Sequence, residues 1–199
     1  MQLKQRFRKI LIFIAVFGAL LFIWQGALLL SLLRPTFIQT GLITAAIEEA
    51  EEGFSYPSLG INAPVTVSPA TSPLETQSWA EIRQALTQGV SLAFRENSPA
   101  DARLAFVTGH SSDTYPHAYS TVFAPLGQAR IGDTFLLTIS DSIRQYEVVD
   151  RLTLSPFAIE RFEGLKPIDG QPNRVVLVTC WPPLTTAQRL VVVGEQIPE

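Results

Sequence analysis

The longest uninterrupted hydrophobic segment lies near the N-terminus, from Ile10 to Leu33. These 24 residues include no charged side chain. At about 1.5 Å per residue, a helix of this length covers the roughly 30 Å hydrocarbon core of a bilayer. A cleaved signal peptide has a shorter apolar core of about 7–15 residues and a small-residue cleavage site, and no such site is evident. The pattern therefore predicts a retained transmembrane helix over residues 10–33, with a buried core helix as the alternative.

Two short hydrophobic runs near the C-terminus, Val175–Val178 and Leu190–Val193, consist of valine and leucine alone. Such runs are typical of buried strands. Two consecutive prolines soon after Cys180 lack the backbone N–H that a strand ladder needs, so pairing must stop just beyond this cysteine. If the two strands are neighbours, Cys180 ends one and Arg189 begins the next. Both side chains then lie at the same rim of the sheet.

The pattern from about residue 54 onward predicts one predominantly β domain. Two strand pieces are predicted within Leu59–Val67, with a break at Asn62–Pro64. A helix follows from a capping box at Ser78 to Gln88 and ends at Gly89. The later elements are a buried strand, Leu104–Thr108, and a hairpin of Thr134–Ser140 with Arg144–Leu154. About seven or eight strands with one clear helix indicate a closed or nearly closed β-barrel.

The charge distribution orients the predicted span. Four basic residues precede it, whereas only Arg34 follows it closely. The positive-inside rule then places the N-terminus in the cytoplasm. After Arg34 the chain has ten basic and 18 acidic residues, a formal charge of about −8, which disfavours nucleic acid and anionic membrane surfaces as partners of this part.

These patterns predict a single-pass protein of the cell membrane in four parts. They are a cytoplasmic N-terminus (1–9), a transmembrane anchor (10–33), a membrane-proximal linker helix (34–53) that ends at Gly53, and an extracytoplasmic domain (54–199).

Cys180 is the only cysteine of the chain, so no intramolecular disulfide can form. Taken alone, Cys180 is best interpreted as a buried structural thiol. His110 alone would be a hydrogen-bonded loop histidine, and Arg189 alone would be an arginine that starts a strand. Together, at the ends of apolar strands, they are the groups that nucleophilic acyl transfer uses: a thiolate attacks, an imidazole handles the proton of the leaving group, and a cation stabilises the oxyanion. Spacing alone leaves open whether His110 reaches the other two.

Several short motifs, in this order, resemble those of the sortases, bacterial cysteine transpeptidases that anchor proteins to the cell surface. The resemblance covers roughly residues 56–197 and rests on Tyr56–Ile61 (YPSLGI), Thr108–Ser112 (TGHSS), Phe123–Gly127 (FAPLG), Gly132–Phe135 (GDTF), Val178–Pro182 (VTCWP) and Arg189–Val192 (RLVV). It implies an eight-stranded sortase β-barrel with one or two short helices, and the catalytic residues His110, Cys180 and Arg189.

The resemblance also implies the reaction. Family substrates carry a C-terminal pentapeptide of the Leu-Pro-x-Thr-Gly type. Cys180 would form a thioacyl-enzyme with its threonine carbonyl, and the acceptor amine would come from a peptidoglycan precursor or a pilin. The segment 155–173 would line the substrate groove. Calcium activates part of the family, but no cluster of calcium ligands stands out here, so no metal ligand or cofactor is assigned.

Two further residues and two other functions remain as alternatives. His117 matches no motif and is the alternative candidate for the catalytic histidine. Asp113 could orient His110 or simply belong to a turn. One rival function is a cell-wall cysteine transpeptidase that acts on peptide crosslinks. The other is a membrane-tethered, extracytoplasmic β-barrel that binds a ligand or partner and whose cysteine is inert.

Overall fold

The structure, a computed structural model, describes residues 2–39, 53–67, 79–94, 103–139, 142–156, 158, 165–167, 169 and 171–198. The helices within this part of the chain are α1 (Gln2–Gln39), α2 (Trp79–Gln88) and two 3₁₀ helices, Pro57–Leu59 and Ala124–Gln128. The strands are β1 (Gly53–Tyr56), β2 (Ile61–Val67), β3 (Val90–Phe94), β4 (Leu104–Thr108), β5 (Thr134–Ile139), β6 (Ser142–Leu154), β7 (Arg174–Trp181) and β8 (Gln188–Gln196).

These strands close into a barrel in the order β1-β2-β3-β4-β7-β8-β6-β5, in which β5 pairs with β1. The β2–β3 and β4–β7 pairs are parallel, and the other six pairs are antiparallel. A parallel pair needs a crossover connection, and α2 lies within the one that joins β2 to β3. The predicted mostly-β, eight-stranded barrel is confirmed.

The hydrophobic runs of the central strands are continuous because these strands are buried on both faces. Successive side chains of a strand point to opposite faces of the sheet. Val175 and Leu177 of β7 belong to the barrel interior, whereas Val176 and Val178 belong to a second cluster outside it. This outer core consists of Leu104, Phe106, Leu154, Val176, Val178, Val191 and Val193, with Ala158 and Leu165 of the β6–β7 connection packed against it.

Most predicted elements of the barrel are present, with one error in β2. The hairpin of β5 and β6 and the strand β4 are confirmed, and α2 ends before Gly89 as expected; the cap residue Ser78 lies outside the described residues. The predicted break at Asn62–Pro64 is wrong, because β2 is continuous. Pro64 is exposed and lies where pairing with β1 ends and pairing with β3 begins, so its missing N–H does not interrupt a ladder.

One helix, α1, runs through the whole segment predicted to be the anchor and continues past Pro35. The described helix has no break between residues 33 and 34, and the predicted division into an anchor (10–33) and a linker helix (34–53) stays a prediction. Pro35 is buried, and the Gln128 Nε2 group donates to the Leu32 carbonyl at 2.6 Å, so contacts with the barrel hold the helix despite the proline. Residues 40–52 of the predicted linker lie outside the described residues, and Gly53, predicted to end that helix, begins β1.

Within the described residues, no helix is long and apolar enough to cross a membrane. The transmembrane anchor stays a prediction.

Candidate active site

Cys180 and Arg189 face each other across β7 and β8. Cys180 is the penultimate residue of β7, and its cross-strand partner is Arg189, the second residue of β8. Residues directly opposite each other on antiparallel strands project to the same face, with Cβ atoms about 4.5–5.5 Å apart. Both alternate with inward-facing neighbours, Thr179 and Leu190, so the thiol and the guanidinium lie on the outer face of the barrel. The predicted juxtaposition of these two residues is confirmed.

The guanidinium of Arg189 is held locally by the chain that leads into β8. Its Nη1 group donates to the carbonyls of Thr186 at 3.2 Å and Gln188 at 3.1 Å. A guanidinium has five N–H donors in a planar fork. Since these two bonds use one nitrogen, the side chain is oriented while the other nitrogens can still bind a carbonyl or an oxyanion.

The backbone before His110 is pinned to the end of β7. The Gly109 N–H donates to the Val178 carbonyl at 3.3 Å, and the Thr179 hydroxyl donates to the Gly109 carbonyl at 2.8 Å. These bonds extend the parallel register of β4 and β7 past the end of β4. The extension brings His110 level with Cys180, at the same rim of the barrel.

Close packing fixes this segment from the other side. The Phe123 N–H donates to the His110 carbonyl at 2.8 Å. A Cβ atom at Gly109 would lie 2.7 Å from the Phe123 ring, so only glycine fits there without displacing a fully buried aromatic side chain. The motif thus needs its glycine to let His110 approach β7.

The structure brings His110 together with Asp113, which the sequence offered as a residue that could orient it, and with His117. The buried Nε2 atom of His110 lies 3.4 Å from Oδ2 of Asp113 and has no hydrogen-bond partner among the described residues. The same carboxylate oxygen lies 3.3 Å from Nε2 of His117, in hydrogen-bonding geometry. The two imidazole rings meet edge to face, with centroids 5.6 Å apart. The sequence signal for this group was the spacing of three polar residues in one loop, which fixes no geometry.

Opposing effects act on the protonation of this group. Burial lowers the pKa of His110, because a buried imidazolium loses hydration. The nearby Asp113 carboxylate raises this pKa, whereas His117 and Arg83 lower it further. Burial alone would raise the pKa of Asp113, but the Tyr115 backbone N–H, His110 and His117 lower it on balance. The site therefore favours a neutral His110 imidazole beside an ionised Asp113 carboxylate.

A pocket of about 410 Å³ opens beside the thiol. Cys180 lines it together with Asp113 of the loop after β4, Thr185 of the β7–β8 connection, and Leu28 of α1. The contribution of α1 had no signal in the sequence. Of the segment 155–173, the described Ala158 and Leu165 pack on the outer core, and the role of this segment in lining the groove stays a prediction.

His110, Asp113 and His117 also have the side-chain types that bind transition metals. One donor atom from each lies within 4.8 Å of the others. Calcium prefers all-oxygen ligands, so two imidazoles do not fit it. The sequence-based assignment, with no cofactor, no metal ligand and calcium activation left open, stays a prediction.

The barrel and the groups at its rim fit a class of thiol-dependent acyl-transfer enzymes. The chain belongs to the sortase family, because the family model described as "Sortase domain" matches residues 55–197. The predicted family is confirmed, and with it the general activity of a sortase transpeptidase.

Solved structures of sortases resemble this chain along most of its length. Sortase C-1 from Actinomyces oris has 25% identity and a TM-score of 0.57, and the match covers 81% of this chain and 82% of that chain. Sortase C1 from Streptococcus suis has 24% identity, a TM-score of 0.57, and coverage of 74% and 73%. Sortase C from Streptococcus pneumoniae has 21% identity, a TM-score of 0.57, and coverage of 78% and 72%. The comparison with curated proteins found no match.

Proposed function

We propose that this chain is a cysteine transpeptidase that cleaves a C-terminal sorting signal of the Leu-Pro-x-Thr-Gly type and transfers the upstream protein to an amine. The observation that carries the proposal is the direct cross-strand pairing of Cys180 with Arg189, on the outer face of the barrel and beside a pocket. In this arrangement a thiolate and an oriented guanidinium can contact the same carbonyl group from adjacent strands.

The first half-reaction forms a thioester. The Cys180 thiolate attacks the threonine carbonyl carbon, and Arg189 stabilises the negative charge that develops on the oxygen. As the intermediate collapses, the C–N bond breaks and the imidazolium of His110 gives its proton to the departing amine. The products are the thioacyl-enzyme, a neutral His110 and a free amine.

The second half-reaction reverses these steps with a new amine. The incoming amine attacks the thioester carbonyl and passes its proton to His110. The C–S bond then breaks, an amide forms, and the Cys180 thiolate and the imidazolium are restored. The acceptor is an amine of a peptidoglycan precursor or of a pilin, and either one satisfies the same chemistry.

Secreted proteins would meet this site if the barrel lies outside the cell. The apolar segment 10–33 and the basic residues before it support a single membrane-spanning anchor with a cytoplasmic N-terminus. The contact of Leu28 with the pocket would then hold the site close to the membrane, where a newly exported sorting signal is still attached.

The test uses the full chain in detergent micelles and a library of peptides with varied sorting motifs. Mass spectrometry should detect a thioester on Cys180, a cleaved peptide, and an amide when glycine peptides or a lysine-containing pilin peptide are added. Cys180→Ala should abolish all three. Asp150→Asn, an exposed substitution on β6, is the control that keeps turnover.

Alkylation of the sole cysteine distinguishes the enzyme from a binding module without any knowledge of the substrate. Iodoacetamide should modify Cys180 rapidly in the folded protein, because this residue is only partly buried and lines the pocket. If the thiol is protected until the barrel unfolds, and no peptide forms a thioester, the enzyme proposal fails. The inert-cysteine binding module would then be the better interpretation.

A further inference from the structure

The loop after β4 contains a hydrogen-bonded chain that begins at His117. The Tyr119 backbone N–H donates to Nδ1 of His117 at 3.2 Å, so this nitrogen presents its lone pair. In a neutral imidazole the other nitrogen then has the proton. That nitrogen, Nε2, lies 3.3 Å from Oδ2 of Asp113 and therefore donates to the carboxylate.

Asp113 is held from two directions. Its Oδ1 atom accepts from the Tyr115 backbone N–H at 3.3 Å, and its Oδ2 atom accepts from His117. An ionised carboxylate can only accept hydrogen bonds. Nε2 of His110 is buried, lies 3.4 Å from the same Oδ2 atom and has no other described partner. A buried nitrogen without a partner costs about 1–3 kcal/mol, so a small rotation that turns this contact into a hydrogen bond is favourable.

We propose that Asp113, fixed by His117, is a positioning residue that keeps the proton of neutral His110 on Nε2 and leaves Nδ1 to exchange protons with the substrate amine. The inference rests on the proposed function, since it assigns the nitrogen of His110 that takes part in the reaction. Asp113 does not itself take up a proton. It orients the ring and selects the tautomer that can accept a proton from the incoming amine.

The same three side chains could instead bind a metal ion, and the hydrogen bonds argue against it. A metal held by Nε2 of both histidines needs those nitrogens unprotonated. Nδ1 of His117 would then have the proton and would face the Tyr119 N–H, which places two donors against each other. Metal-binding histidines normally donate their second N–H to an acceptor. The hydrogen-bond partners of His117 therefore fit a hydrogen-bonded link to Asp113 better than they fit a metal site.

The direct test is nitrogen NMR of the full chain labelled with ¹⁵N-histidine. The chain contains two histidines, so His117→Phe, which leaves a single imidazole, assigns the signals. We expect neutral His110 with its proton on Nε2. In Asp113→Asn the pKa of His110 should fall, because the carboxylate charge that raises it is gone while burial, which lowers it, remains. A proton on Nδ1 of neutral His110 would overturn the proposal.

Turnover of a fluorogenic Leu-Pro-x-Thr-Gly peptide gives the second readout. Asp113→Asn should lower kcat/KM by about 10- to 10²-fold, which is part of what general acid–base catalysis contributes. It should also move the acidic limb of the pH profile to lower pH. His117→Phe keeps a ring beside His110 but loses the N–H, and it should lower kcat/KM several-fold. His117→Gln, which restores a donor, should recover most of this loss. Asp150→Asn is the control for a removed surface charge.

The outcomes separate the proposal from its rivals. An unchanged acidic limb and an unchanged pKa of His110 in Asp113→Asn would show that Asp113 is only a turn residue. If Asp113→Asn does not fold, the comparison of His117→Phe with His117→Gln tests the proposal instead. Equal activity of these two variants would refute the hydrogen-bonded link from His117 through Asp113 to His110. Stoichiometric Zn²⁺ binding that shifts both Nε2 signals would replace the proposal with a metal site. Unimpaired turnover in His110→Ala would overturn the proposed function instead. The NMR measurement of the His110 tautomer in the natural protein would not depend on that result.

Discussion

Gly127 lies against the indole ring of Trp181, the residue that follows Cys180, and replacing it with alanine tests how rigidly the site is held. A Cβ atom at this position would be 2.3 Å from Cη2 and 2.7 Å from Cζ3 of Trp181. Ordinary contacts begin at 3.4 Å, so the indole ring must move by about 1 Å. Trp181 packs against the barrel interior and follows Cys180 directly in β7. The displacement should therefore reach the thiol.

Two effects of Gly127→Ala can be measured separately. Overpacking a well-packed site costs typically about 1–3 kcal/mol, which urea unfolding should detect as a lower free energy of unfolding. A displacement of about 1 Å at a reacting group can lower the rate by about 10²-fold. We therefore expect kcat/KM for peptide cleavage to fall by more than 10-fold at temperatures where the variant is still folded.

A compensating substitution identifies the cause. Trp181→Phe removes the ring atoms that the new methyl group meets, so Gly127→Ala with Trp181→Phe should be more stable and more active than the sum of the single effects predicts. Gly18→Ala is the control, because nothing lies within 4 Å of its Cβ position. If the two single effects simply add, or if Gly127→Ala is as active as the natural protein, the contact between residue 127 and the indole does not position Cys180.

Four other predictions concern the site, the core and the topology. Arg189→Lys keeps the charge but loses the planar fork, so kcat/KM should fall by about 10²-fold or more; near-normal turnover would make Arg189 structural. The acidic limb of the pH profile should lie below the ordinary imidazole pKa of about 6.5, because burial lowers the pKa of His110, and a limb above that value would contradict this. Phe106→Ala removes a fully buried outer-core ring and should cost about 3–5 kcal/mol in urea unfolding, whereas a loss below 1 kcal/mol would show that the outer core collapses around the gap. Protease added to intact protoplasts should degrade residues 54–199, and full protection would exclude the predicted orientation of the anchor.

The sequence was most informative where local chemistry decides the structure. The prolines after Cys180 end β7, and the valine-rich runs on either side must pair to bury themselves, so the approach of Cys180 to Arg189 could be predicted. The same logic failed at Pro64. This proline lies where pairing with β1 ends and pairing with β3 begins, so its missing N–H interrupts no ladder, and the sequence around it does not show which strands pair there.

Contacts between segments that are distant in sequence could not be predicted from the hydrophobic pattern of either segment. Leu28 of α1 lines the pocket, although it lies more than eighty residues before the loop that contains His110. The group of His110, Asp113 and His117 forms because hydrogen bonds to β7 and to Phe123 shape the loop after β4. A spacing of three and four residues outside a helix or strand predicts no common face, so the sequence could name these residues but not bring them together.

The protonation of the resting site follows from the balance of these contacts. The proposed mechanism needs a thiolate and an imidazolium, and burial of His110 works against the imidazolium. The nearby carboxylate raises the pKa of His110, yet the net effect remains a lowered value, so desolvation is the stronger influence. Most molecules at neutral pH then hold His110 as the neutral imidazole. A carboxylate that cannot keep the imidazole charged can still choose its tautomer, which is the reason to assign Asp113 a positioning role rather than that of a counter-ion. A bell-shaped pH profile is the expected signature of the proposed mechanism, because it needs one group to be deprotonated and the other to be protonated.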